Sequence, residues 1–282
     1  MASTDRVVDT PVLADLLTLH ESLPAAWLAA TSAGAFLRDE RPRSLEFDTK
    51  STPTDVVSVM DRAAEQLIVG TLLDRHPGDG FLGEEGGERA GRTGRRWVVD
   101  PLDGTVNYRY SIPLWGVSVA LEDADGTALG VIALPESHEA FVAVRGAGAW
   151  QVRGPAVSRL AGSACTELSL AMVGTGFGYA APRRVRQAEV VRELIGEVRD
   201  VRRTGCAVVD LCWTAMGRLD AYYEFGLNAW DVCAGALICQ EAGVAVSGLR
   251  DDSLEPLMVA SAPGVANELK ELLLRLGADD MP

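Results

Sequence analysis

The segment Trp97-Val-Val-Asp-Pro-Leu-Asp-Gly-Thr-Val-Asn107 constrains this chain more than any other, because an apolar run delivers two carboxylates, Asp100 and Asp103, into a Gly-Thr turn. The pattern predicts a buried strand over residues 97–99 that Pro101 ends. Gly104 and Thr105 then open a short helix whose unpaired amides suit a phosphate. Two acids beside an anion cradle call for a cation between them.

Two further acidic clusters extend the pattern. Gly83-Glu84-Glu85-Gly86-Gly87 lies upstream, and Trp230-Asp231-Val-Cys-Ala-Gly235 lies downstream at the start of a helical periodicity, with Gly217-Arg-Leu-Asp-Ala-Tyr-Tyr-Glu224 before it. GEE, DPLDGTVN and WDVCAG, in that order, resemble the inositol monophosphatase family. The resemblance runs from about Lys50 to the end of the chain; the residues before it match only in helical character.

The chain has 282 residues, 48% of them hydrophobic, which is enough for a sizeable core in one large domain or two packed halves. A formal charge of −14 argues against broad binding to nucleic acid or an anionic membrane, both of which would repel it. Small anions then have to be captured locally. The five cysteines are odd in number and lack C-x-x-C spacing, so neither a disulfide framework nor a zinc site is indicated, and a reducing cytoplasm fits. Asp5, Arg6 and Asp9 precede any apolar run, and no stretch approaches the roughly 20 apolar residues of a membrane span.

Along the chain, the periodicity predicts helix over residues 11–39 with a break near Pro24, and a second helix from Ser58 to just before His76. Strand-like runs follow at 114–121, 130–134, 140–144 and 148–152, consistent with an antiparallel sheet. Beyond residue 155 the pattern alternates: strand 168–173, helix 182–195, strand 200–203, helix 207–216, strand 221–224 and helix 230–242. We therefore expect an α+β half over 1–155 with most of the metal ligands. An α/β half over 156–282 would carry the substrate residues and the last ligand, with the site between the halves. The resemblance implies a layered αβαβα sandwich, α/β and α+β in class, and a homodimer.

Mg²⁺ takes octahedral oxygen coordination, keeps several waters and binds one or two carboxylates from a segment plus substrate phosphate. His20, His76 and His138 stand apart from the motifs, which disfavours a zinc or iron site built on imidazoles. The resemblance implies that Glu84, Asp100 and the Leu102 carbonyl hold one metal. Asp100, Asp103 and Asp231 would hold a second, with two or three Mg²⁺ per site and sensitivity to lithium. Metals about 3.5–4 Å apart can stabilise both attacking and leaving oxygens and acidify a water for attack on phosphorus. By motif position the ligand is Glu84 rather than Glu85.

By the same resemblance the water is activated by Thr105 together with Asp61, with Glu84 counted in the catalytic set, and the phosphate rests on the amides of Gly104 and Thr105. Glu224 and Asp231 would accept hydroxyls of a phosphorylated polyol, Gly205 and Ala207 would contact it through backbone, and Lys50 would offset crowded negative charge. Cys206 stands where the family commonly has a hydroxyl residue. Asn107 and Glu224 favour inositol monophosphate over histidinol phosphate, fructose bisphosphate or 3′-phosphoadenosine 5′-phosphate. Some bacterial relatives resemble regulators that bind the transcription machinery, which is the competing reading.

Each residue also has a plainer reading. Asp100 and Asp103 alone would cap a short helix, Asp61 would favour a helix N-terminus and Glu224 would be a strand-end acid. The arginine groups around Arg92, Arg183 and Arg203 read as solvated or ion-paired faces, and Cys206 and Cys233 as small buried residues.

Overall fold

Pro24 opens the first long helix instead of breaking one. In the computed structural model, which describes residues 12–42, 47–49 and 56–282, a single turn α1 (Leu13–Leu16) precedes α2 (Leu23–Asp39), and Pro24 lies in the first turn of α2. A first-turn proline forfeits no intrahelical hydrogen bond, so the expected interruption becomes a boundary. Strand β1 (Phe47–Thr49) pairs antiparallel with β2 (Val56–Ser58), which runs directly into α3 (Val59–Arg75). Lys50 falls outside the described residues.

Strands β3 (Gly80–Gly83), β4 (Gly87–Arg89) and β5 (Arg96–Asp103) lead into the short helix α4 (Thr105–Arg109). Four antiparallel strands follow: β6 (Gly116–Asp123), β7 (Gly126–Leu134), β8 (Glu139–Val144) and β9 (Gly148–Arg153). With β10 (Ala156–Arg159) they form one sheet in the order β10-β9-β8-β7-β6-β5-β3-β4. Because β10 pairs with β9, the first sheet extends past residue 155.

Pro101 does not end its strand. Asp100 pairs with Ser118 and Asp103 with Gly116, so three steps on β5 oppose two on β6, and Pro101 lies inside this bulge, where no ladder N–H is demanded of it. The bulge keeps the strand paired as far as Asp103 while re-aiming its acids.

After a 3₁₀ turn at Leu168–Leu170, which replaces the start of the strand expected at 168–173, β11 (Met172–Thr175) is followed by α5 (Ala181–Leu194) and β12 (Asp200–Arg202). Next come α6 (Ala207–Ala215), β13 (Ala221–Phe225) and α7 (Ala229–Glu241). The chain closes with β14 (Ala245–Gly248), β15 (Leu257–Ser261) and α8 (Ala266–Arg275). These strands make a second, mixed sheet in the order β12-β11-β13-β15-β14.

Alternation along the strands sets the layers, since successive side chains point to opposite faces. Val99 of β5 packs with Ala30 of α2 and Ile68 of α3 on the outer face of the first sheet. Val98, one residue earlier, faces inward with Leu211 of α6 and Ile238 of α7. On β13, Tyr222 joins that inner layer, and Tyr223 faces outward with Val190 of α5 and Leu269 of α8. The result is an αβαβα sandwich with α6 and α7 between the sheets.

Candidate active site

A cavity of about 380 Å³ opens where β5 and α4 of the first sheet meet α6, α7 and β13. Glu84, Asp100, Leu102, Asp103, Gly104 and Thr105 line one side, and Gly205, Ala207, Glu224 and Asp231 line the other. The candidate metal ligands, Gly104, Thr105, Gly205, Ala207 and Glu224 thus border this space, and Asp61 is fully buried on α3. Asp61 stands behind Thr105: Thr105 Oγ1 lies 3.0 Å from Asp61 Oδ1 and 3.0 Å from the Leu102 carbonyl oxygen.

The acids are held by backbone amides. Leu102 N–H donates to Asp100 Oδ1 at 2.9 Å, and Val208 N–H, in the first turn of α6, donates to Asp103 Oδ2 at 2.7 Å. Asn228 N–H donates to Asp231 Oδ2 at 2.7 Å within the capping box of α7. The Glu84 loop is pinned on both sides: Glu84 N–H donates to the Val99 carbonyl at 3.3 Å, and Glu85 N–H donates to Glu65 Oε2 of α3 at 2.8 Å.

Electrostatics bear on what this arrangement can hold. Burial first, and then repulsion from Glu84, Asp103 and Asp231, pushes the Asp100 carboxyl well above the usual carboxylate range. Asp103 and Asp231 are raised too, with burial the largest cause for each. A hard divalent cation fits this all-oxygen donor set and would let the acids ionise together. Among the described residues, no three His, Cys, Asp or Glu side chains already stand close enough to clasp an ion unaided.

Gly104 is required by its surroundings. Its φ is +88°, and a Cβ there would lie 3.0 Å from the Leu114 carbonyl oxygen and 3.2 Å from Cys206 Cβ. Cys206 is buried, with its Sγ 3.2 Å from Asp103 Oδ2, so its thiol faces a carboxylate of the acid cluster.

At the far end, Tyr222 OH donates to Glu224 Oε2 at 2.6 Å. Burial raises Glu224 to about 7, and Tyr222 and Arg203 pull in the opposite direction. The Glu224 carboxylate occupies the space over Gly176, where a Cβ would come within 1.9 Å of Oε2.

Asn107 does not line the cavity. It is 3% exposed, and its Nδ2 donates to the carbonyls of Leu114 at 2.6 Å and Thr204 at 2.9 Å, tying α4 to the turn before Gly205. Arg183 and Arg203, expected on solvated or ion-paired faces, line the cavity, as do Phe177 and Phe225. The Thr175-Gly-Phe-Gly178 glycine spacing was the sequence signal for a loop approaching a ligand.

An αβαβα sandwich with an acid-lined cavity between its sheets is the architecture of a known class of phosphatases. The profile of the inositol monophosphatase family matches residues 18–278, and the chain belongs to that family. It is 42% identical over 273 residues to the inositol-1-monophosphatase SuhB of Mycobacterium tuberculosis, covering 90% of this chain and 93% of that protein. It is 37% identical over 258 residues to the Nus factor SuhB of Escherichia coli K12, covering 89% and 95%. The crystal structure of the extragenic suppressor protein suhB of Bartonella henselae superposes with a TM-score of 0.83 at 34% identity, over 90% of this chain and 98% of that one. No helix among the described residues is long and apolar enough to cross a membrane.

Proposed function

We propose that this protein is a Mg²⁺-dependent phosphomonoesterase that releases phosphate from an inositol monophosphate. The observation that carries the reading is the Asp61–Thr105 pair set beside four carboxylates on one cavity. Glu84, Asp100, the Leu102 carbonyl, Asp103 and Asp231 would hold Mg²⁺, which when bound neutralises phosphate charge and makes a water more acidic. The phosphate rests against the amides of Gly104 and Thr105.

Thr105 donates its hydroxyl proton to Asp61 and accepts from the attacking water, so the water's proton has a path to the buried carboxylate. The new phosphorus–oxygen bond forms as the bond to the polyol breaks, and the polyol oxygen takes up a proton from solvent. Glu224 and Asp231 accept hydroxyls of the polyol, with Gly205 and Ala207 shaping the turn that faces it. Lithium inhibition and assembly as a homodimer are part of this reading and rest on the family.

The test is phosphate release from myo-inositol 1-phosphate, histidinol phosphate and 3′-phosphoadenosine 5′-phosphate, each with and without Mg²⁺. Mg²⁺-dependent release with inositol phosphate preferred supports the reading; preference for another substrate overturns the specificity assigned to Glu224. The Escherichia coli relative, named Nus factor SuhB, favours a second reading, binding to the transcription machinery. Recovery of transcription proteins by the Asp103→Asn variant as well as by the unmodified chain, with no release from any substrate, would favour it.

A further inference from the structure

Asp61 and Glu65 lie four residues apart on α3, so they project from one face of the helix, and both are buried, at 0% and 4% exposure. Asp61 meets Thr105 at 3.0 Å. Glu65 reaches a different segment: its Oε2 accepts the Glu85 N–H at 2.8 Å, one residue after the cavity-lining Glu84. Glu65 itself is not part of the cavity wall.

The glycines that flank Glu84 and Glu85 leave room for this carboxylate. A Cβ on Gly83 would lie 2.8 Å from Glu65 Oε1, and one on Gly86 would overlap the same oxygen. Gly86 has no left-handed φ, and among the described residues beyond its chain neighbours only Glu65 comes within 4 Å of the added atom. The contact with Glu65, and not the backbone turn, therefore excludes a side chain there. On the other side, Glu84 N–H donates to the Val99 carbonyl of β5 at 3.3 Å. Glu84 thus sits between an attachment to the sheet and an attachment to α3. A carboxylate that accepts a peptide N–H makes a charge-assisted bond, stronger than the neutral kind.

We propose that Glu65 is a positioning residue for the metal site: by holding the Glu84 loop from the face of α3 that also carries Asp61, it sets Glu84 and the Thr105 hydroxyl against each other. This rests on the metal-dependent phosphatase reading above and deepens it. One helix then fixes where the cation binds relative to the group that handles the water. Glu65 acts through Glu84, and removing a group that orients a metal ligand typically lowers metal affinity by about 10- to 100-fold.

The experiment is calorimetric titration of Mg²⁺ into metal-free protein, for the unmodified chain, Glu65→Ala, Glu65→Gln and Gly86→Ala, with the Mg²⁺ dependence of phosphate release from myo-inositol 1-phosphate measured beside it. Glu65→Ala should weaken the tightest Mg²⁺ site at least about tenfold and raise the Mg²⁺ needed for half-maximal release by a similar factor. Glu65→Gln keeps an oxygen for the Glu85 N–H and should stay within about threefold of the unmodified protein. Gly86→Ala leaves Glu65 in the chain but drives a methyl group into its place, so it should weaken Mg²⁺ in the same direction as Glu65→Ala.

Unchanged Mg²⁺ affinity in Glu65→Ala or in Gly86→Ala overturns the proposal, even where the melting temperature falls, because a purely structural role lowers stability without touching the metal. A loss in Glu65→Gln as large as that in Glu65→Ala also counts against it, since the accepted hydrogen bond would then not be what matters. If Glu65→Ala does not fold, Gly86→Ala and Glu65→Gln decide. An unmodified protein that binds Mg²⁺ but releases no phosphate fails the phosphatase reading alone, and the calorimetry still tests Glu65; one that binds no Mg²⁺ overturns both.

Discussion

Thr105 Oγ1 of α4 and Asp61 Oδ1 of α3 lie 3.0 Å apart, joining a motif at the end of a sheet strand to a fully buried acid on an outer-layer helix. One hydroxyl proton cannot serve two acceptors, so donation to Asp61 leaves the Leu102 carbonyl without it. That carbonyl is then available to a cation.

Removing either partner should therefore damage turnover more than binding. Thr105→Ala and Asp61→Asn are expected to lower kcat by about 10²- to 10⁴-fold, the usual range for proton transfer by a positioned group, with KM nearly unchanged. Thr105→Ser should retain most of the activity because it keeps the hydroxyl. Steady-state kinetics on myo-inositol 1-phosphate decide this, and a large KM change with constant kcat would count against the proton path.

Glu224 should leave a signature in the pH dependence of stability. Burial moves it from 4.5 to about 7, so between those values the folded protein binds more protons than the unfolded chain. Unfolding free energy from this group must then fall as pH rises from 4.5 to 7 and stay level above. Glu224→Gln should flatten that part of the profile in urea titrations of metal-free protein; an unchanged slope would show that Glu224 ionises normally.

Asn107 should behave as a strap across the site. Asn107→Ala leaves the Leu114 and Thr204 carbonyls without their amide donor, and the loss should cost about 1–3 kcal/mol. Chemical denaturation measures it. A change within about 0.5 kcal/mol would place Asn107 among residues without a buried role.

Gly176 should tolerate no side chain while Glu224 stays in place. Gly176→Ala sets a methyl group within 1.9 Å of Glu224 Oε2, so one of the two must move. The expected result is an increase in KM with a modest stability loss of about 1–3 kcal/mol, typical of overpacking. Full activity with an unaltered KM would mean that Glu224 does not position the substrate.

Legibility in the sequence followed the range of each interaction. The DPLDGT spacing is local, so Asp100, Asp103 and the turn at Gly104 could be read directly, as could α3 and the strands β6 to β9 from their periodicity. Pro101 misled because a bulge is a relation between two strands and only one of them was in view. Pro24 misled because the helix before it is a single turn. Asp61 came from family resemblance alone; nothing near it in sequence announces Thr105. Arg183 and Arg203 were hidden as cavity-lining residues because their placement against Phe225 and Phe177 joins chain segments that composition cannot connect.

The most direct measurement of the central claim is the initial rate of phosphate release from myo-inositol 1-phosphate across a Mg²⁺ titration, for the unmodified protein and Asp103→Asn. The account predicts a saturable dependence on Mg²⁺, abolished by chelator and restored by added Mg²⁺, with the variant slower by at least about a hundredfold because a carboxylate of the acid cluster is lost. Release that ignores chelator, or full activity in Asp103→Asn, would contradict it.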